Sequence, residues 1–125
     1  MKIKGLEMRK TSKMIFVIMF ILTLFSCGNS SNKTDIEWLK GGTLHKSTVF
    51  EWKNATEKNK LATCADFIVN IKKANNEKYE TIAQMKKDAT ILMECINEAT
   101  KGDETNNMQV SEIAVSCYIL LNSNQ

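Results

Sequence analysis

Ile82, Met85, Ala89, Leu92, Ile96 and Ala99 recur at steps of three and four residues, the period of one face of an α-helix. Lys86, Lys87, Glu94 and Glu98 fall off that stripe. An apolar stripe of this width has to be covered by neighbouring elements, so the segment sets the architecture of whatever surrounds it. The spacing predicts a helix from about Tyr79 to Thr100, with Gly102 as its stop. Upstream, Leu61, Cys64, Ala65, Ile68 and Ile71 repeat the pattern, with Lys60, Asn70 and Lys73 on the other side. Thr48-Val49-Phe50-Glu51 has the spacing of a capping box, and a helix beginning there carries Val49, Trp52 and Ala55 on one side; Thr56 can cap the next stretch. Downstream, Val110, Ile113, Ala114, Cys117, Leu120 and Leu121 mark a last helix, with Ser111 or Asn107 as its cap. Reading Val115 to Leu121 as a strand leaves it without a partner strand. The chain contains no proline, which favours helices over a loop-rich or all-β fold. The expected fold is all-α: a small antiparallel bundle of three to four helices spanning residues 41–125, entered through the break at Gly41-Gly42.

The first 26 residues have a different character. Lys2, Lys4, Arg9, Lys10 and Lys13 stand against one acid, Glu7, and precede twelve residues, Met14 to Phe25, that are apolar except for Thr23. A helix of that length rises about 18 Å, short of a hydrocarbon core about 30 Å thick. A basic head followed by a short apolar run reads as a secretory signal rather than a permanent span.

Leu24-Phe25-Ser26-Cys27-Gly28 resembles the lipobox of bacterial lipoproteins. Leu24 and Ser26 fit the pattern, while Phe25 is bulkier than the usual residue there. The resemblance implies that Cys27 receives a diacylglyceryl group on sulfur, that the leader 1–26 is cut away, and that acyl chains hold the protein at a membrane. Each buried CH₂ contributes about 0.8 kcal/mol, so two or three chains anchor firmly where one holds only reversibly. Residues 27–40 then form the lipidated N-terminus and a tether, Gly28 to Asp35 being small and polar. Gly28 is not the acidic residue that in some envelopes retains a lipoprotein at the inner membrane, so the outer membrane is a possible address where there are two.

Cleavage also changes the charge. The formal net charge is +3, but the leader holds five of the seventeen basic residues and one of the fourteen acidic ones, which leaves the mature chain near −1. No basic patch interleaved with aromatics remains, which argues against nucleic acid as a partner.

Three cysteines lie on or beside apolar stripes: Cys64, Cys95 and Cys117. They read either as buried small hydrophobes or as a pool from which an exported domain makes one disulfide, and spacing does not choose the pair. There is no Cys-x-x-Cys and only one histidine, so no metal site and no cofactor is expected. His45, in the lead-in, is a candidate ligand contact or proton carrier, or else a hydrogen-bonding or solvated loop residue. Asp66 is a candidate functional carboxylate, or one that accepts backbone hydrogen bonds. Trp38 and Trp52 are candidates for a recognition surface, with Trp52 alternatively in the core. Asp103 to Asn107 lacks the spacing of a calcium loop and reads as a polar turn.

The stretch from Gly42-Thr43-Leu44-His45 through Trp52, Ala55 and Leu61 to Phe67 resembles a small helical domain recurring in bacteria. It implies a shared fold and transfers no activity and no catalytic residue. The first functional expectation is a non-enzymatic lipoprotein acting through an envelope protein or in envelope structure. The alternatives are an immunity or inhibitor lipoprotein, and a small-ligand binder or enzyme built on His45 and Asp66.

Overall fold

The computed structural model describes residues 36–123. The leader, Cys27 and the polar stretch as far as Asp35 lie outside the described residues. A short 3-10 turn, Glu37–Leu39, precedes four helices: α1 (Val49–Asn54), α2 (Glu57–Ala74), α3 (Ile82–Ala99) and α4 (Val110–Asn122). The only β-type pairing among the described residues is a single antiparallel bridge between Thr48 and Gln109.

Threonine starts three of the helices. Thr48 Oγ1 accepts from the Glu51 amide at 3.4 Å and the Glu51 carboxylate accepts from the Thr48 amide at 2.7 Å, completing the capping box. Thr56 accepts from the Asn59 amide to cap α2, and Thr81 from the Gln84 amide to cap α3. The α3 cap moves the start of that helix from Tyr79 to Ile82, and Tyr79 stands in the connecting loop. At its other end α3 stops before Gly102: Thr100 is the C-cap, with its hydroxyl turned back to the Ile96 carbonyl at 2.7 Å. Asn76, at φ 59°, lets α2 close on itself, with the Glu77 amide donating to the Lys72 carbonyl at 2.8 Å.

The start of α4 corrects the sequence reading. Neither Ser111 nor Asn107 caps it; Gln109 is the N-cap and gives no side-chain bond. The first amide of α4, like the first two of α1, is satisfied from far away in the chain. Val110 donates to the Ser47 carbonyl at 2.9 Å, while Val49 donates to Met108 at 2.9 Å and Phe50 to Asn106 at 3.1 Å. The first turns of α1 and α4 are thereby stitched together across the bridge.

Long-range pairs fix the helix directions. The Trp52 indole N–H, just ahead of α2, donates to Asn97 near the end of α3. Cys95 in α3 is bonded to Cys117 in α4 with a Cα–Cα distance of 5.9 Å, and Asp88 lines a cleft with Asn122. Successive long helices therefore run antiparallel. The core is built on Val49, Trp52, Ile68, Leu92, Ile96 and Val110, each at most 2% exposed. Trp38 and Leu39 pack against this core, so the folded unit reaches N-terminal of Gly41. The α3 stripe is core only in its middle. Ile82 is exposed, as is Ala99, because the cover supplied by α2 and α4 falls on Ala89, Leu92, Met93 and Ile96. Leu120 is likewise exposed rather than inside. No described helix is long and apolar enough to cross a membrane.

Candidate functional sites

Residues 42–45 lie along α2 and use one of its faces. The Thr43 amide donates to Asn59 Oδ1 at 2.9 Å, the Leu44 amide to Thr63 Oγ1 at 3.2 Å, and His45 Nε2 meets Asp66 Oδ2 at 2.9 Å. Asn59, Thr63 and Asp66 are spaced by four and three, so they form one row on the helix. The close approach needs Gly42: a Cβ there would sit 2.8 Å from the Thr63 nitrogen and 2.9 Å from the Ala62 carbonyl carbon. The two candidates His45 and Asp66 are thus brought together, and Asp66 takes an imidazole where backbone amides were the expected donors. Phe67 meets the His45 ring edge-on at 5.5 Å.

A histidine held by a carboxylate is the orienting half of an acid–base device. The nearby thiol does not supply the other half: Cys64 is wholly buried, and desolvation pushes it up to about 12. His45 and Asp66 also line none of the three cavities described below. Their evident work is to fasten the lead-in to α2. Gly42→Ala therefore forces backbone atoms apart and is expected to cost about 1–3 kcal/mol. The Leu44 amide should then exchange hydrogen much faster while amides in the middle of α3 keep their protection; unchanged exchange at Leu44 would refute the fastening.

Trp52 belongs to the core. It is wholly buried, donates to Asn97 Oδ1 at 2.9 Å, and carries the Lys60 ammonium 5.7 Å from its ring centroid, so it offers no recognition surface. Lys60 is accordingly half-buried rather than on a solvent face. Trp38 is half-buried under the Lys86 ammonium, and its buried indole N–H has no partner. The oxygens of the 102–106 loop converge on Lys53, which donates to the Gly102 carbonyl at 2.7 Å and to Asn106 Oδ1 at 2.8 Å. An ammonium on α1 thus occupies the centre of the turn. Among the described residues no group of three or more His, Cys, Asp or Glu side chains gathers as a metal site.

Of the three cysteines, Cys95 and Cys117 form a disulfide and Cys64 stays free.

Two surfaces were not marked by the sequence. One is an apolar groove between α2 and α4, about 270 Å³, lined by Phe67, Ile71, Ala74, Ala114 and Val115. Val115 is 51% exposed and Ile119, one turn on, 63%. The other is a cleft of about 250 Å³ where α2, α3 and α4 meet, holding Lys72, Tyr79, Asp88 and Tyr118 over an aliphatic floor. A further hollow of about 420 Å³ lies across Lys72 and Tyr79, toward Val69 and Met85. Val115 and Ile119, exposed apolar positions of α4 off its buried stripe, were the available signal for the groove. The cleft draws on three separate elements and had none.

Set against protein-family models, curated proteins and solved structures, the chain matches none of them significantly.

Proposed function

We propose that this chain is a bacterial lipoprotein, anchored by acyl chains on Cys27, whose helical domain works outside the cytoplasm through protein contacts rather than by catalysis. The observation that carries the reading from the structure is the Cys95–Cys117 disulfide, because such bonds persist in oxidising compartments and are rare where thioredoxin and glutathione act. It agrees with the order of basic head, short apolar run and Leu24-Phe25-Ser26-Cys27 in the leader. The α2–α4 groove supplies an apolar contact surface, since Phe67, Ile71 and Val115 stand together where a soluble face would be polar. The His45–Asp66 pair supports the non-enzymatic reading, its two side chains being used on each other to hold the lead-in.

Mass spectrometry of the N-terminal fragment from native envelopes tests the anchor. The expected fragment begins at Cys27 and carries a thioether-linked diacylglyceryl group. An unmodified thiol at position 27, or an intact leader, overturns the proposal. Photocrosslinking tests the contact surface. A probe at Val115 should give one discrete protein adduct in the envelope and a probe at Lys101 none; equal labelling from both sites removes the groove from the argument.

A further inference from the structure

We propose that the cleft between α2, α3 and α4 binds a small organic cation with an apolar body, its ammonium group against Asp88 and its hydrocarbon part on Ile68, Leu92 and Leu121. This site is separate from the α2–α4 groove and does not depend on the reading above.

The cleft joins an apolar floor to polar groups in nearly equal measure, a mixture that a ligand site can use. Ile68 and Leu92 form a floor that is no more than 2% exposed, and Leu121 closes one flank. At about 250 Å³ it sits just below the usual range for ligand pockets, which suits a molecule of roughly ten non-hydrogen atoms.

Charge decides the sign of the ligand. Lys72 has its own counter-ion, the Glu77 carboxylate at 3.0 Å, and Asp88 is only a lesser influence on it. Asp88 receives the Tyr79 hydroxyl at 3.0 Å, a neutral donor that uses one lone pair of one oxygen. A carboxylate has about four such sites. The wall itself carries one cation, Lys72, and one anion, Asp88; Glu77, outside the cleft, neutralises Lys72, so Asp88 is the wall charge that has no ion pair of its own. Burial, with the Asp88 carboxylate beside it, holds the Tyr79 hydroxyl protonated far above its ordinary range, so that donor does not become a second anion. An incoming carboxylate would meet Asp88 unfavourably, whereas an ammonium completes it.

One aromatic wall adds to this preference. Lys72 holds its ammonium 5.0 Å from the centroid of the Tyr79 ring, so that aromatic wall is already engaged by a cation of the protein. Tyr118 lines the same space and offers a second ring.

The test is a titration of the full chain in detergent micelles with 2-phenylethylammonium, followed by the nuclear magnetic resonance signals of the Tyr79 and Tyr118 rings. 3-Phenylpropanoate, of similar shape and opposite charge, is the control for partition into the micelle. The cation should give saturable shifts at both rings with a Kd of about 1 mM or tighter, and the anion should bind at least about tenfold more weakly. Asp88→Asn keeps an acceptor for the Tyr79 hydroxyl, so the fold is retained, and should weaken the cation about tenfold. Glu77→Gln, at an exposed position, releases Lys72 toward Asp88 and should also weaken it. Equal binding of cation and anion, an unchanged Kd in both variants, or ring signals that do not saturate would each overturn the proposal.

Discussion

Trp52→Ala should leave the domain largely unfolded at room temperature. Trp52 is the largest wholly buried side chain, and truncating a buried tryptophan costs about 3–5 kcal/mol through lost transfer energy and the cavity left behind. Asn97 also loses the indole N–H that reaches it at 2.9 Å, worth about 1 kcal/mol more. A folded unit of this size has a total stability of about 4–13 kcal/mol, and a small core places it toward the lower end. The substitution therefore removes most of what there is. Two measurements check it. Circular dichroism in a urea titration should show the transition shifted to near zero denaturant. Alkylation of Cys64 should become fast, because in the native state that thiol is buried and its pKa is pushed up to about 12. Trp52→Phe, which keeps most of the volume, should restore slow alkylation in part. A transition midpoint unchanged in Trp52→Ala would mean that the ring does not hold the core together.

Trp52 shows where the sequence was informative and where it stopped. Its place in α1 followed from the Thr48-to-Glu51 capping spacing, which is a local pattern. Its partner did not, since Asn97 lies 45 positions away. The same division holds elsewhere. The periods of α2 and α3 were legible because an amphipathic helix writes its buried face into neighbouring residues. The start of α4 was misjudged because its first amide is satisfied by Ser47, which no local rule would connect with Val110. His45 and Asp66 were singled out separately by residue type. What joins them is the passage of Gly42 against the α2 backbone, which sets Thr43, Leu44 and His45 over Asn59, Thr63 and Asp66 in turn. Exposed Ile82 and Leu120 show the opposite limit: a periodic pattern says which face is apolar and not how far the cover extends.

Removing the disulfide should loosen α4 before it unfolds the rest. In the chain-entropy account, joining Cys95 to Cys117 closes a segment with a sequence separation of 22 residues, and its loss from the unfolded state's constraint costs about 3 kcal/mol. The cost falls unevenly because of how α4 is held. Its N-terminal end is secured by the Val110 amide on Ser47 and by buried Val110, Ile113 and Ala114, while farther along Val115 and Ile119 face outward. Cys117 is the buried attachment in that second half, and its bond to α3 lies next to the cleft formed with Tyr118 and Leu121. A Cys95→Ala/Cys117→Ala chain should therefore lose about 3 kcal/mol in denaturant unfolding. Its amides from Cys117 to Asn122 should exchange faster by a larger factor than those in the middle of α2. Mass spectrometry supplies the covalent check: under denaturing conditions without reductant, a thiol label should add to Cys64 and to neither Cys95 nor Cys117. An unchanged midpoint with uniform exchange would show that packing alone holds α4. Labelling of Cys95 and Cys117 in protein from native envelopes would show that the bond does not form in the cell, and would withdraw the structural support for an address outside the cytoplasm.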